Sequence, residues 1–217
     1  MAIPKRLTFA AASTTYIALA QTLAGAGDMI LNGTGAEVSP TRRMRLTGSG
    51  FARVVTLTST GNISGVNFTI TGTDIRGAAL TETIAGPNNN TVSTTGNFYS
   101  VTSISANGAV GTNTSAGIGN TGVSQWVQVD YQLTPANIGL GVNVTGTINW
   151  TIRQTTANAQ TSEPIAAEVL DHPDTNLVAQ TVSRQGNYAF PFGYFKLVVN
   201  SATGGSLTFD SYQAGIV

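Results

Sequence analysis

The chain has 217 residues, a formal net charge of zero, and 9% charged side chains against 41% hydrophobic ones. Disordered chains are strongly charged and poor in apolar residues, so this composition specifies a folded protein with an uncharged polar surface. The absence of cysteine excludes disulfides and thiolate metal sites, and a single histidine excludes a two-histidine zinc site.

The polar surface comes from 33 Thr, 17 Asn and 25 Gly. Threonine is β-branched and suits a half-exposed pleated position, while Asn and Gly supply turns. Charge is unevenly spread. Residues 1–53 carry six basic and two acidic side chains, a local balance of +4, and residues 54–217 carry −4. The basic residues form no dense stripe interleaved with aromatics, which argues against a nucleic-acid footprint. Docking of a basic segment onto an acidic protein surface fits better.

At the N-terminus, Lys5 and Arg6 precede an apolar run from Leu7, and Ala24-Gly25-Ala26 has the small residues of a leader cleavage site. Ser13-Thr14-Thr15 and Gln21 interrupt that run, so residues 1–40 read as an extended arm. No apolar stretch approaches the roughly 18 residues that span a bilayer.

From about residue 40, short strands alternate with turn clusters. Strands are predicted over 42–47, 54–58, 66–71, 79–84 and 98–105, giving a first β domain over 41–106. Val66, Phe68 and Ile70 alternate with Asn67, Thr69 and Thr71, the period-two signature of a strand with one wet face. The glycine-rich run 107–124 reads as a loop or linker. Strands resume over 126–133, 141–154, 194–200 and 207–213, a second β domain within 125–217. In the longest of these, Val142, Val144, Ile148, Trp150 and Ile152 alternate around an interruption at Gly146. With no helical period, the expected fold is all-β: two tandem β-sandwich (jelly-roll-like) domains preceded by the arm.

Motifs that carry chemistry are few. Gly117-Ile118-Gly119-Asn120-Thr121-Gly122 matches the dinucleotide-binding glycine pattern, but a strand follows it where a helix is required. Asp171-His172-Pro173-Asp174 contains the lone histidine and reads as a polar turn, without the dense oxygen ligands of a calcium loop. Nucleophile-elbow, P-loop and metalloprotease motifs do not occur. Ten carboxylates leave a glycosidase-type pair open, with nothing to single one out. The expectation is a protein without catalytic, cofactor or metal residues.

The segment from Phe68 through Thr71-Gly72-Thr73-Asp74, Gly77 and Glu82-Thr83-Ile84, then Gly86-Pro87 and Phe98-Tyr99-Ser100, resembles a pattern of tailed-phage structural proteins. The second half is similar too, from Val144-Thr145-Gly146-Thr147 through Asp171-His172-Pro173 to Tyr212-Gln213-Ala214-Gly215-Ile216, so the likeness covers about residues 22–217. It implies a non-enzymatic virion protein: a capsid cement (decoration) protein on the particle exterior, a homotrimer bridging major capsid subunits, with no nucleic-acid or membrane partner. A tail, collar or baseplate component is the alternative, as is a glycan-binding module of a receptor-binding fibre using Trp126, Trp150 and Tyr188. Candidate partner contacts are Lys5 with Arg6 in the arm, and Arg43 with Arg45, which share one face of a predicted strand.

Overall fold

The computed structural model describes residues 5–35, 44–45, 50–130, 137–190 and 192–214. In chain order the strands are β1 (Lys5–Phe9), β2 (Ser13–Leu23), β3 (Gly27–Asp28), β4 (Met44–Arg45), β5 (Phe51–Ser59), β6 (Asn67–Thr73), β7 (Ala79–Ala85) and β8 (Thr91–Phe98). They continue with β9 (Ser100–Ala106), β10 (Val110–Ser124), β11 (Val127–Gln128), β12 (Asn137–Thr155), β13 (Leu170–Asp171), β14 (Arg184–Tyr188) and β15 (Tyr194–Ala214). Two single 3-10 turns, Ala166–Glu168 and Thr175–Leu177, are the only helical elements among the described residues. The protein is all-β, with antiparallel pairing.

Two compact units form. One is residues 12–122; the other is assembled from residues 123–217 and the first eleven residues, so the two are not a simple tandem.

Residues 12–122 make a sandwich. β2, β10, β5 and β8 lie side by side in one sheet, and β3, β9, β6 and β7 in the other, with β4 also on β9. The alternation expected at 66–71 is present: Phe68 and Ile70 are buried, while Asn67 is exposed and Thr69 and Thr71 are half-buried. The core takes Ile17, Val55, Leu57, Ala116 and Ile118 from the first sheet and Phe68, Ile70, Val101 and Ile104 from the second. Each such side chain contributes about 1.5–3 kcal/mol on burial. At the sandwich edge, the Glu82 carboxylate on β7 accepts hydrogen bonds from the Thr95 and Gly96 amides of β8, at 2.7 and 2.8 Å. The turn after β6 is equally local: Asp74 accepts from the Arg76 and Ala78 amides, both at 2.9 Å, and Gly77 takes a φ of +87°.

The run 107–124 is not a loop. Most of it is β10, paired with β2 and neighbouring β5. At Gly117 and Gly119 the small residues reflect crowding. A Cβ at Gly117 would fall on the Ser13 carbonyl oxygen, and one at Gly119 on the Val54 side chain. Only small residues let strands approach this closely.

The N-terminal segment is extended, but it is no free-standing arm. β1 pairs with β15 and β2 with β10. Leu7 and Phe9 are buried on one face of β1, opposite Phe209 and Leu207 in register. In the sequence, Ala10–Ala12 hide that short alternation by extending it into an apparent apolar run.

The other unit is organised by β12 and β15, paired along the whole of β12 from Asn137↔Ala214 to Thr155↔Tyr194. Of the residues expected to alternate, Val142, Ile148, Trp150 and Ile152 are buried and Val144 is half-buried, and Ile138 and Leu140 extend the buried face. The interruption at Gly146 has a steric cause. Gly146 and Gly205 face each other with φ of +82° and +96°, and a Cβ on Gly205 would strike the Thr145 carbonyl. Register shifts follow directly after, at Thr147/Ile148 and Asn149/Trp150, and bend the ladder.

Candidate functional site

Three neighbouring strands, β13, β12 and β15, bring Asp171, Arg153 and Lys196 into one cross-strand row. Arg153 and Lys196 each stand in a sequence segment otherwise poor in charge, and no spacing links them to Asp171. Arg153 Nε donates to the Asp171 carboxylate at 2.9 Å. Lys196 Nζ donates to Glu163 at 2.8 Å, and its side chain is only 10% exposed.

Trp126 holds that second pair in place. Its indole Nε1 donates to the Glu163 carboxylate at 3.1 Å, and the Lys196 ammonium sits 4.2 Å over the centre of its ring. A desolvated cation over an indole face contributes about 1–2 kcal/mol. Above the row lies a groove of about 520 Å³, with Arg153, Glu163, Asp171 and Lys196 as its polar side. Pro164, Ala166, Val169 and Leu170 form the apolar side.

The two other aromatic candidates for a sugar platform are unavailable for contact. Trp150 and Tyr188 are fully buried. Tyr188 stacks with His172 at 4.2 Å and with Phe192 at 4.1 Å between ring centres, and burial pushes its phenol well above the usual range. His172 is buried as well. Its Nδ1 accepts the Asp174 amide at 2.9 Å, and burial lowers its pKa against the opposing effect of the Asp174 carboxylate. The Asp174 side chain in turn accepts from the Asn176 amide, closing the polar turn read from the sequence. The glycine pattern 117–122 lies inside β10, with no helix after it.

Neither a family model nor a curated protein matches this chain.

The basic residues read from the sequence are distributed as follows. Arg6 stands opposite Asp210 and grips it with both prongs, Nε at 2.8 Å and Nη2 at 3.2 Å; that hydrogen bond raises its pKa. The carboxylate facing Arg6 is thus supplied by the chain itself. The backbone of Lys5 pairs opposite Ser211, and that of Arg45 opposite Ser100 on β9. Arg43 lies outside the described residues. Arg53, counted in the basic N-terminal excess, is buried; its guanidinium donates to the Gly119 carbonyl, and burial pushes its pKa down to about 10.

A broader surface feature is the outer face of the β3–β9–β6–β7 sheet. Asn67, Thr69, Thr71 and Thr73 stand in register with Thr83 and Thr81 on one side and with Ser105, Ser103 and Ser100 on the other. Hydroxyls join across the strands, Thr69 to Thr83 at 3.0 Å and Thr73 to Ser100 at 2.6 Å. Among the described residues of these ladders, two charged residues are in register with that face, Asp28 opposite Ser105 and Arg45 opposite Ser100, and neither lies on β9, β6 or β7.

Proposed function

We propose that this chain is a non-enzymatic structural protein of a tailed-phage virion, a cement protein bridging major capsid subunits, acting as a homotrimer on the capsid exterior. The observation that carries the reading is the uncharged Thr/Ser face on β9, β6 and β7. Interface cores are depleted in charged residues because desolvating a charge is costly, whereas paired hydroxyls carry their own hydrogen bonds into contact. The resemblance to tailed-phage structural proteins supports the same reading. In this role the covered surface is that sheet face, and Arg6 serves the internal β1–β15 ladder.

The decisive experiment is a particle reconstruction with quantitative mass spectrometry of purified virions. Cement function requires a copy number commensurate with the capsid lattice. A few copies per particle would assign the chain to tail, collar or baseplate instead. Thr71→Lys and Thr83→Lys place charge in the middle of the face and are expected to reduce incorporation without changing the fold. Full occupancy of both variants would remove this face from the interface.

A further inference from the structure

We infer that the groove over Asp171, Arg153 and Lys196 is a binding site for a neutral saccharide. This goes beyond the virion role and does not depend on it.

The argument starts from charge. The polar side of the groove holds two cations and two carboxylates, and each cation is already bonded to a carboxylate at 2.8–2.9 Å. An anionic ligand approaching Arg153 or Lys196 would lie beside the like charge of Asp171 or Glu163. A cationic one would have to pull those carboxylates away. A neutral hydroxyl faces neither penalty. It donates to a carboxylate lone pair or accepts from a guanidinium N–H while the ion pairs stay intact, since a carboxylate offers about four acceptor sites and a guanidinium five donors. The Asp171 bond uses the Nε–H of Arg153.

The apolar lining residues supply the second half of the recognition. Pro164, Ala166, Val169 and Leu170 present carbon to the groove, and Leu170 is 61% exposed. A pyranose ring carries an apolar C–H face and a rim of hydroxyls, which matches a lining of four apolar and four hydrogen-bonding residues. The volume, about 520 Å³, falls in the range of small-ligand sites, roughly 300–1,000 Å³. Trp126 acts as a positioning residue. It fixes Glu163 through its indole N–H and Lys196 through its ring, and so sets the polar wall before a ligand arrives. Such preorganisation reduces the ordering cost of binding.

The test titrates the purified full chain with maltohexaose, cellohexaose and chitohexaose, and in parallel with hexaglutamate and hexalysine, by saturation-transfer NMR and calorimetry. At least one neutral hexasaccharide is expected to bind at millimolar concentration or below. Leu170→Ser and Asp171→Asn are each expected to weaken that binding at least about tenfold. Both side chains are exposed, so the variants should keep the parent melting temperature. Trp126→Phe keeps an aromatic face, though a smaller one, and loses the N–H, and should give a smaller loss. Three results overturn the site: no neutral hexasaccharide bound, binding confined to a charged peptide, or binding unchanged in both Leu170→Ser and Asp171→Asn. None of these bears on copy number in particles, so the virion proposal stands or falls separately.

Discussion

Residues 12–122 place a largely aliphatic core between two facing sheets, so their longer strands need only seven to fifteen residues and one apolar face. The unit built from both chain ends relies instead on two strands of 19 and 21 residues and on aromatic rings. Tyr188, Phe190, Phe192, Phe195 and Phe209 form a connected series at centroid separations of 4.1–6.1 Å. Glycine also serves two different ends. In β10 it removes side chains so that strands approach closely, whereas at Gly146 and Gly205 it allows a positive φ that bends a ladder too long to stay flat. Short facing strands and one long bent ladder are thus two routes to the same end, burying an alternating face. They fail in different places.

The largest expected effects come from the two cores. Phe68→Ala and Trp150→Ala each remove a fully buried ring and should cost about 3–5 kcal/mol. Hydrogen exchange separates them: Phe68→Ala should accelerate exchange first in β6 and β9, Trp150→Ala first in β12 and β15. Identical exchange patterns for the two variants would end the distinction between the units.

A smaller loss is expected at the sandwich edge. Glu82→Ala strips two β8 amides of their carboxylate and should cost about 1–3 kcal/mol, measured by urea unfolding. A change within error would show that β8 is held by its pairing with β5 alone.

The aromatic unit should also carry a pH dependence. Burial holds the folded pKa of His172 below its ordinary 6.5, so under acidic conditions the unfolded chain takes up a proton that the folded chain resists. The stability is complete above about pH 6.5 and declines from there towards the depressed folded value. His172→Gln should remove this part of the slope in denaturation at a series of pH values. Equal slopes in parent and variant would show that the ring is not the group being titrated.

The smallest effect belongs to Arg6. Its ion pair with Asp210 is exposed on the arginine side, and screened surface pairs contribute little. Arg6→Ala should leave the melting temperature within replicate scatter. A clear drop, abolished by salt, would make this pair a principal clasp of β1.

Local order was largely legible. Alternation at Val66, Phe68 and Ile70 and along Val142 to Ile152 marked strands and their buried faces, because a strand repeats every two residues whatever it pairs with. The Asp74 turn is equally local, since its hydrogen bonds close within four residues. The glycine run at 107–124 was misleading, because a crowded central strand and a flexible linker have the same composition.

What the sequence alone determined is therefore the fold class, the wet and dry faces of the long strands, and the lack of cysteine and of a second histidine. Only the tertiary structure decided that β1 completes a ladder with β15 some 200 positions away, and that Arg6 meets Asp210 there. It alone also gathered Trp126, Arg153, Glu163, Asp171 and Lys196 around one groove. The reason lies in register. A side chain's face follows from its neighbours in the chain, but its partners follow from which strands pair and at what offset. That offset is set by the burial of both sides at once.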